Sequence, residues 1–355
     1  MKKVLFFLFS CMSLISKAQQ IETVFEDSVY QLTGVAVSSD GRLFTNYPRW
    51  DGPYQYALVE IKNGKKIPFP NKSWNEWNVK KGGNKQKHFI AVQAVVIDKD
   101  DNMWVVDPGY RDNLEGEDKG QKLVKINLHT DKVERVYPLS NIAGAKSYLN
   151  DIRVDTKKQM GYITNSGDGG IVVVNLKTGD ARQVLNGRDV VLSDSTYLFS
   201  RHGKALYSHG KPYRANSDGI ALSPDGKMLY FKALTDDRLF RIPTSALDDF
   251  SMSDDGIYSK VENLGHFITT DGMEFDNNGN LYLGDLENRR LMRVTPDLKM
   301  ETVIPTNEAL LTWPDSYQFT RDGWLYISFS KIDDEPRFHD GIKQPGNYKI
   351  IRIKL

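Results

Sequence analysis

The chain has 355 residues, of which 40% are hydrophobic and 26% charged. That balance belongs to a globular protein and excludes a mostly disordered chain or a multi-span membrane protein. Lys and Arg number 47 against 46 Asp and Glu, a net charge of +1, so no charge excess points to nucleic acid.

Residues 1–18 read as a secretory signal peptide of bacterial look. Lys2 and Lys3 form the charged start, the apolar run extends from Val4 to Ile15, and Ser16-Lys17-Ala18 is the small-residue cleavage site. A run of about 12 residues is too short to anchor in a bilayer, and no later run is long enough to span one. Lipidation at Cys11 is the alternative, with a very short apolar stretch before it. The expected location is periplasmic or extracellular. Cys11 is the only cysteine, so residues 19–355 contain no disulfide, thiol nucleophile or cysteine metal ligand. Their stability must come from a large core.

Beyond the signal, periodicity is mostly two, in short runs rich in Val, Ile, Tyr and Phe. Polar turns recur at SSDGRLF (from Ser38), DKDDNMWV (Asp98), DTKKQMGYIT (Asp155), SPDGKMLYF (Ser223), DNNGNLYLG (Asp276) and TRDGWLYIS (Thr320). Each joins two apolar runs and reads as a hairpin. Between Asp40 and Asp322 the turns recur about every 56 residues, so one repeat fills the chain and leaves no room for a second domain. A second hairpin follows in each unit, as in LVEIKNGKKIPFP from Leu58 and IVVVNLKTGDARQVL from Ile171. The last unit ends after one strand, IIRIKL from Ile350, and its missing partner is Ile21 to Glu26. The expected fold is all-β: a single six-bladed β-propeller over residues 19–355, closed by pairing the N-terminal strand with the last blade. An open β-solenoid is the alternative, and the truncated final unit argues against it.

The innermost strand of each blade lines the central channel. Counting seven residues back from each turn gives Thr33, Gln93, Asn150, Asp218, Asp271 and Asp315 at its mouth. All six can offer oxygen. Carboxylates crowded there repel one another unless a cation sits among them. Oxygen ligands suit a hard divalent cation. The bland alternative is that these Asp-Gly and Asn-Asp pairs only shape turns and strand ends. The second-strand ends Asn46, Asp107, Asn165, Thr235 and Asp285 are expected on the same rim. Long excursions cover residues 65–88, 187–216 and 331–347 and carry Trp74, Trp77, Tyr197, Tyr213 and Phe338. They could cover an organic ligand or merely pack down. No GxSxG, HExxH, P-loop or GxGxxG motif occurs.

The passages GVAVSSDGRLFTNYPRW (from Gly34), VQAVVIDKDDNMWVVDPG (Val92), YLNDIRVDTKKQMGYITNSGDGGIVVVNLKTG (Tyr148) and SDGIALSPDGKMLYFKAL (Ser217) resemble the major royal jelly protein/yellow family. The resemblance implies a secreted six-bladed propeller. It points to amine binding, dopachrome conversion or a nutritive role. A more distant likeness is to the regucalcin–gluconolactonase propellers. It implies one divalent cation (Ca²⁺, Mg²⁺, Mn²⁺ or Zn²⁺) on Asn150, Asp218 and Asp271, with Asp271 also the catalytic base. The family's glutamate ligand falls at Thr33, a departure that Gln93 or Asp315 must make good. Two main readings follow for a small organic molecule in an oxygen-lined pocket that includes Thr33, Gln93, Asn165 and Asp315. One is metal-assisted hydrolysis of a lactone or ester, with Asp271 activating water. The other is non-catalytic binding of a small amine or aromatic. A dopachrome-type isomerase rests on the resemblance alone, and nothing in the sequence favours a protein scaffold.

Overall fold

The computed structural model describes residues 20–50, 52–78, 82–109, 119–342, 344 and 346–355. The expected signal peptide and Cys11 lie outside them. Six four-stranded antiparallel sheets stand around a central channel. The first blade runs outward through Ala36–Val37, Leu43–Asn46, Leu58–Lys62 and Lys65–Pro68. The inner strands of the next four are Ala94–Ile97, Leu149–Asp155, Ser217–Leu222 and Met273–Phe275. The sixth combines Pro314–Phe319, Trp324–Phe329 and Tyr348–Lys354 with the N-terminal Gln20–Asp27.

The closing pair is antiparallel, with Ile21 opposite Ile353 and Thr23 opposite Ile351. Phe25, Leu32, Val59, Tyr348 and Ile350 form one buried cluster where the last blade meets the first. At roughly 1.5–3 kcal/mol for each fully buried large apolar side chain, this seam is a hydrophobic joint as well as a hydrogen-bonded one. Hydroxyls stitch neighbouring blades near the axis. Thr33 Oγ1 donates to Gln93 O at 2.9 Å, and Thr164 Oγ1 to Asp218 O at 2.7 Å. Ser328 Oγ donates to Thr33 O across the closure itself.

The inner turns form where the repeat predicts. In Ser223-Pro224-Asp225-Gly226, Gly226 N donates to Ser223 O at 2.8 Å, and Gly226 takes φ +70°, a conformation that costs glycine little. Two short helices, Thr244–Asp248 and Asp254–Tyr258, sit between the outer strands of the fourth blade. Two small ribbons, Ser200–Arg201 with Lys204–Ala205 and Tyr207–Ser208 with Lys211–Pro212, lie between the third and fourth blades. Among the described residues no helix is long and apolar enough to cross a membrane.

Candidate functional site

Consecutive blades place Asp218, Asp271 and Asp315 side by side around the channel. Two of them are followed by glycine, and the reason is close approach rather than a turn. A Cβ on Gly219 would lie 2.5 Å from Asp271 O, and one on Gly272 would lie 2.1 Å from Asp315 O. Gly272 N donates to Asp315 O at 2.8 Å, joining two blades at the axis. Register irregularities in the third, fourth and sixth blades fall beside these positions, between Leu149 and Ile152, Ser217 and Ile220, and Pro314 and Tyr317. Bulges of this kind re-aim side chains.

The result is a crowd of desolvated carboxyls. Asp218 is 4% exposed, Asp271 6% and Asp315 7%. Burial, reinforced by the charges of Asp271 and Asp151, raises Asp218 well above the usual carboxylate range. Burial pushes Asp271 up to about 7, although a hydrogen bond from Trp313 pulls the other way. That bond runs from Trp313 Nε1 to Asp271 Oδ2 at 2.7 Å. Burial and Asp271 raise Asp315 as well. Among the described residues Asp218 Oδ1 and Asp315 Oδ2 accept no hydrogen bond. Below this level polar side chains cross the channel beside a smaller cavity of about 120 Å³. Arg153 pairs with Glu274 at 3.3 Å and donates to Met273 O, while the Gln318 amide bonds both backbone groups of Val37.

Above it opens a cavity of about 250 Å³. Its wall includes Gln93, Asn150, Asp218 and Asp271 together with Trp50, Tyr148 and Tyr213. Trp50 Nε1 donates to Tyr148 Oη at 2.8 Å, and Tyr148 Oη to Gln93 Oε1 at 2.7 Å. This relay fixes the Gln93 amide, and no protein acceptor takes its Nε2 protons among the described residues. Tyr213 meets Phe338 edge to face at 5.0 Å, bringing two of the excursions together over the cavity. Arg201 fastens the same two segments. It pairs with Asp333 at 2.9 Å and lies over the Trp313 ring. The third excursion packs down instead, with Trp74 against Phe89 and Trp77 against His88.

Four of the expected site residues thus share one wall: Gln93, Asn150, Asp218 and Asp271. Asp315 is buried beside them without lining the cavity. Thr33 and Asn165 are elsewhere. The Thr33 hydroxyl is spent between blades, and Asn165 is fully buried with its amide bonded to Tyr148 N, Ser147, Asp168 and Gln183. The other second-strand ends also tie loops rather than rim the mouth. Asp107, for instance, accepts from Ile90 N, Ala91 N, Gly109 N and the buried Lys122. Counting one residue per blade missed Asp151, which the irregularity after Leu149 brings in beside Asn150. It also missed Trp50, Tyr148 and Trp313, which come from connections that carry no repeat, whereas Tyr213 was expected among the loop aromatics.

The divalent ion implied by the distant resemblance needs a converging set of anionic oxygens. Among the described residues no three His, Cys, Asp or Glu side chains form one. Asp271 is engaged by Trp313, Asp218 faces Asp271, and the Thr33 hydroxyl points at a backbone carbonyl. As arranged, the described residues offer two carboxyls and Asn150 here, with no anionic ligand at Thr33.

The family model for the major royal jelly proteins matches residues 90–327. A yellow-related salivary protein of Phlebotomus argentipes is 25% identical over 258 residues, covering 65% of this chain and 62% of that protein. Major royal jelly protein 7 of Apis mellifera is 23% identical over 264 residues, covering 70% and 56%. This chain therefore spans less than two thirds of those relatives' length. A gluconolactonase from Xanthomonas campestris shares the fold, with a TM-score of 0.56 and 10% identity over 95% of this chain and 89% of that one. With most of its length matched and the propeller complete, the chain belongs to the major royal jelly protein family.

Proposed function

We propose that the cavity binds a small aromatic amine. The observation that carries this reading is Asp218 Oδ1, an almost fully buried carboxyl oxygen with no hydrogen-bond partner among the described residues, on the wall of a cavity that Trp50, Tyr148 and Tyr213 also line. A buried acceptor left unmade costs about 1–3 kcal/mol, and an ammonium group on the ligand removes that cost. Trp50, Tyr148 and Tyr213 line the cavity and supply apolar surface for an aromatic body. Export by the N-terminal segment belongs to the same proposal and fits an exported ligand-binding protein.

A second reading has its own observation. Asp271, raised to about 7, suits general-base catalysis near neutral pH, as in tautomerisation or lactone opening. On that reading Asp271→Asn removes turnover, and activity rises with pH through about 7 as the carboxyl ionises. Metal-assisted hydrolysis is supported less, because Thr33 supplies no anionic ligand where the likeness calls for one.

Melting temperatures separate the three. Tryptamine, or a catecholamine, at 100 times its dissociation constant should stabilise the protein by about 2.7 kcal/mol. Ca²⁺, Mg²⁺, Mn²⁺ and Zn²⁺ after EDTA treatment are expected to leave the melting temperature unchanged. A rise with one ion, lost in Asp271→Ala, would restore the metal reading. No response to any amine would sink the binding reading.

A further inference from the structure

The three most exposed large apolar side chains among the described residues are Ile342 (66%), Leu198 (53%) and Tyr207 (49%). All three lie on the two excursions that meet beside the cavity. Leu206 N donates to Phe199 O at 2.9 Å, which ties their chain neighbours Tyr207 and Leu198 into one corner. The strand Tyr207–Ser208 packs on the helical turn Pro336–Phe338. Ile342 N donates to His339 O at 2.8 Å and Gly341 N to Pro336 O at 2.9 Å, which keeps Ile342 beside that turn. The charge on this face is one-sided as well. Residues 195–217 include Arg201, Lys204, Lys211 and Arg214 and no acid. Arg201 is answered by Asp333, and Arg214 is held by loop carbonyls. Lys204 and Lys211 are exposed and form no ion pair among the described residues. They stand at the tips of the two ribbons, where His202-Gly203 and His209-Gly210 all take positive φ, the geometry of tight hairpin turns. On the other excursion Asp333, Asp334 and Glu335 pair with Arg201, Lys331 and Arg337, and Asp340 is the one exposed acid.

We propose that this face docks on an anionic lipid bilayer, with Leu198, Tyr207 and Ile342 entering the headgroup layer and Lys204 and Lys211 held at lipid phosphates. The proposal is independent of the amine reading. Exposed apolar side chains among lysines suit a membrane interface, where tyrosine sits at headgroup level and lysine keeps its ammonium in water. A polyanion in water answers the two lysines but leaves the three apolar side chains uncovered, so the combination favours a bilayer. Docking of this kind is peripheral and needs no spanning segment. The ribbons are already hydrogen-bonded, so little chain has to be ordered on contact. The same excursions carry Tyr213 and Arg337 to the cavity wall, and docking therefore brings the cavity to the membrane surface.

The test is co-sedimentation of residues 19–355 with vesicles, because the apolar N-terminal segment would itself bind lipid. Phosphatidylcholine vesicles with about 30% phosphatidylglycerol are expected to bind roughly 20-fold tighter than pure phosphatidylcholine, an advantage lost in about 0.5 M NaCl. Lys204→Gln with Lys211→Gln should remove most of that advantage, about fivefold for each lysine. Leu198→Ser with Tyr207→Ser should weaken binding to both kinds of vesicle by roughly tenfold. Lys157→Gln, exposed in the turn at the far end of the third blade's inner strand, should change nothing. All five positions are exposed, and the lipid and salt dependence of the unaltered chain reports even if a variant fails to fold. Equal binding to both vesicles, binding to neither, or folded lysine variants that bind like the unaltered chain overturns the proposal. Retention on dextran sulfate without vesicle binding also overturns it and makes the partner a soluble polyanion.

Discussion

Replacing Asp107 by alanine should lower the stability of the protein by about 3–5 kcal/mol, the cost of breaking a buried ion pair by removing one member. Asp107 and Lys122 lie 2.7 Å apart, and both side chains are 0% exposed. The same carboxylate accepts from Ile90 N at 2.7 Å, Ala91 N at 3.0 Å and Gly109 N at 3.0 Å. Alanine removes all four contacts at once and leaves an ammonium in the interior. Lys122 keeps a bond to Gly120 O among its remaining contacts. For a chain of this size the melting temperature should fall by roughly 6–15 °C. The double variant Asp107→Leu, Lys122→Met should recover part of the loss, because a buried pair is worth little over an apolar one once both charges are gone. A drop below about 1 kcal/mol in Asp107→Ala would mean that water or the other contacts of Lys122 compensate its charge.

Asp218→Asn should act in opposite directions on binding and on stability. The ligand loses a charge-assisted hydrogen bond worth about 1.5–3 kcal/mol, so affinity for tryptamine should fall roughly 10- to 100-fold. The folded protein, by contrast, loses a buried carboxyl crowded by Asp271, Asp151 and Asp315. Stability at pH 7.5 should rise by about 1–3 kcal/mol. The pH dependence follows from the raised carboxyls. A group whose folded pKa lies above its unfolded value of 3.8 binds protons more tightly in the native state, so its contribution to stability declines as pH rises between those values. For Asp271 that window runs from 3.8 to about 7. Denaturant titrations across it should show wild-type stability lost with rising pH and a shallower loss in Asp218→Asn. A less stable Asp218→Asn at pH 7.5 would show that the carboxylate is held by contacts the cavity account lacks. A residue that costs stability while improving binding is the signature of a functional site.

The fold was legible because it repeats. Six turns at a near-constant interval and a last blade short of one strand led directly to Ile21–Glu26 as the closing strand, which pairs with Tyr348–Lys354 as expected. The same regularity located Gln93, Asn150, Asp218 and Asp271 on one cavity wall, since a register count works wherever every blade obeys it. It failed at Thr33 and Asn165, whose polar groups satisfy backbone and loop partners inside the ring. Side-chain type could not separate those two uses of the same chemistry. Asp151 was hidden by a strand irregularity that turns adjacent residues to the same side. Tyr148, Tyr213 and Trp313 lie in or beside connections, where no periodicity says which way a ring faces. The Asp-Gly pairs carried a signal of a different kind. Gly219 and Gly272 mark where one blade's backbone presses on the next, and that contact is what crowds the three aspartates.

The most direct test of the central claim is a crystal structure of the protein soaked with tryptamine. Density is expected in the cavity among Trp50, Tyr148 and Tyr213, with the amine nitrogen about 3 Å from Asp218 Oδ1. An empty cavity at saturating amine, or an amine bound away from Asp218, would contradict it.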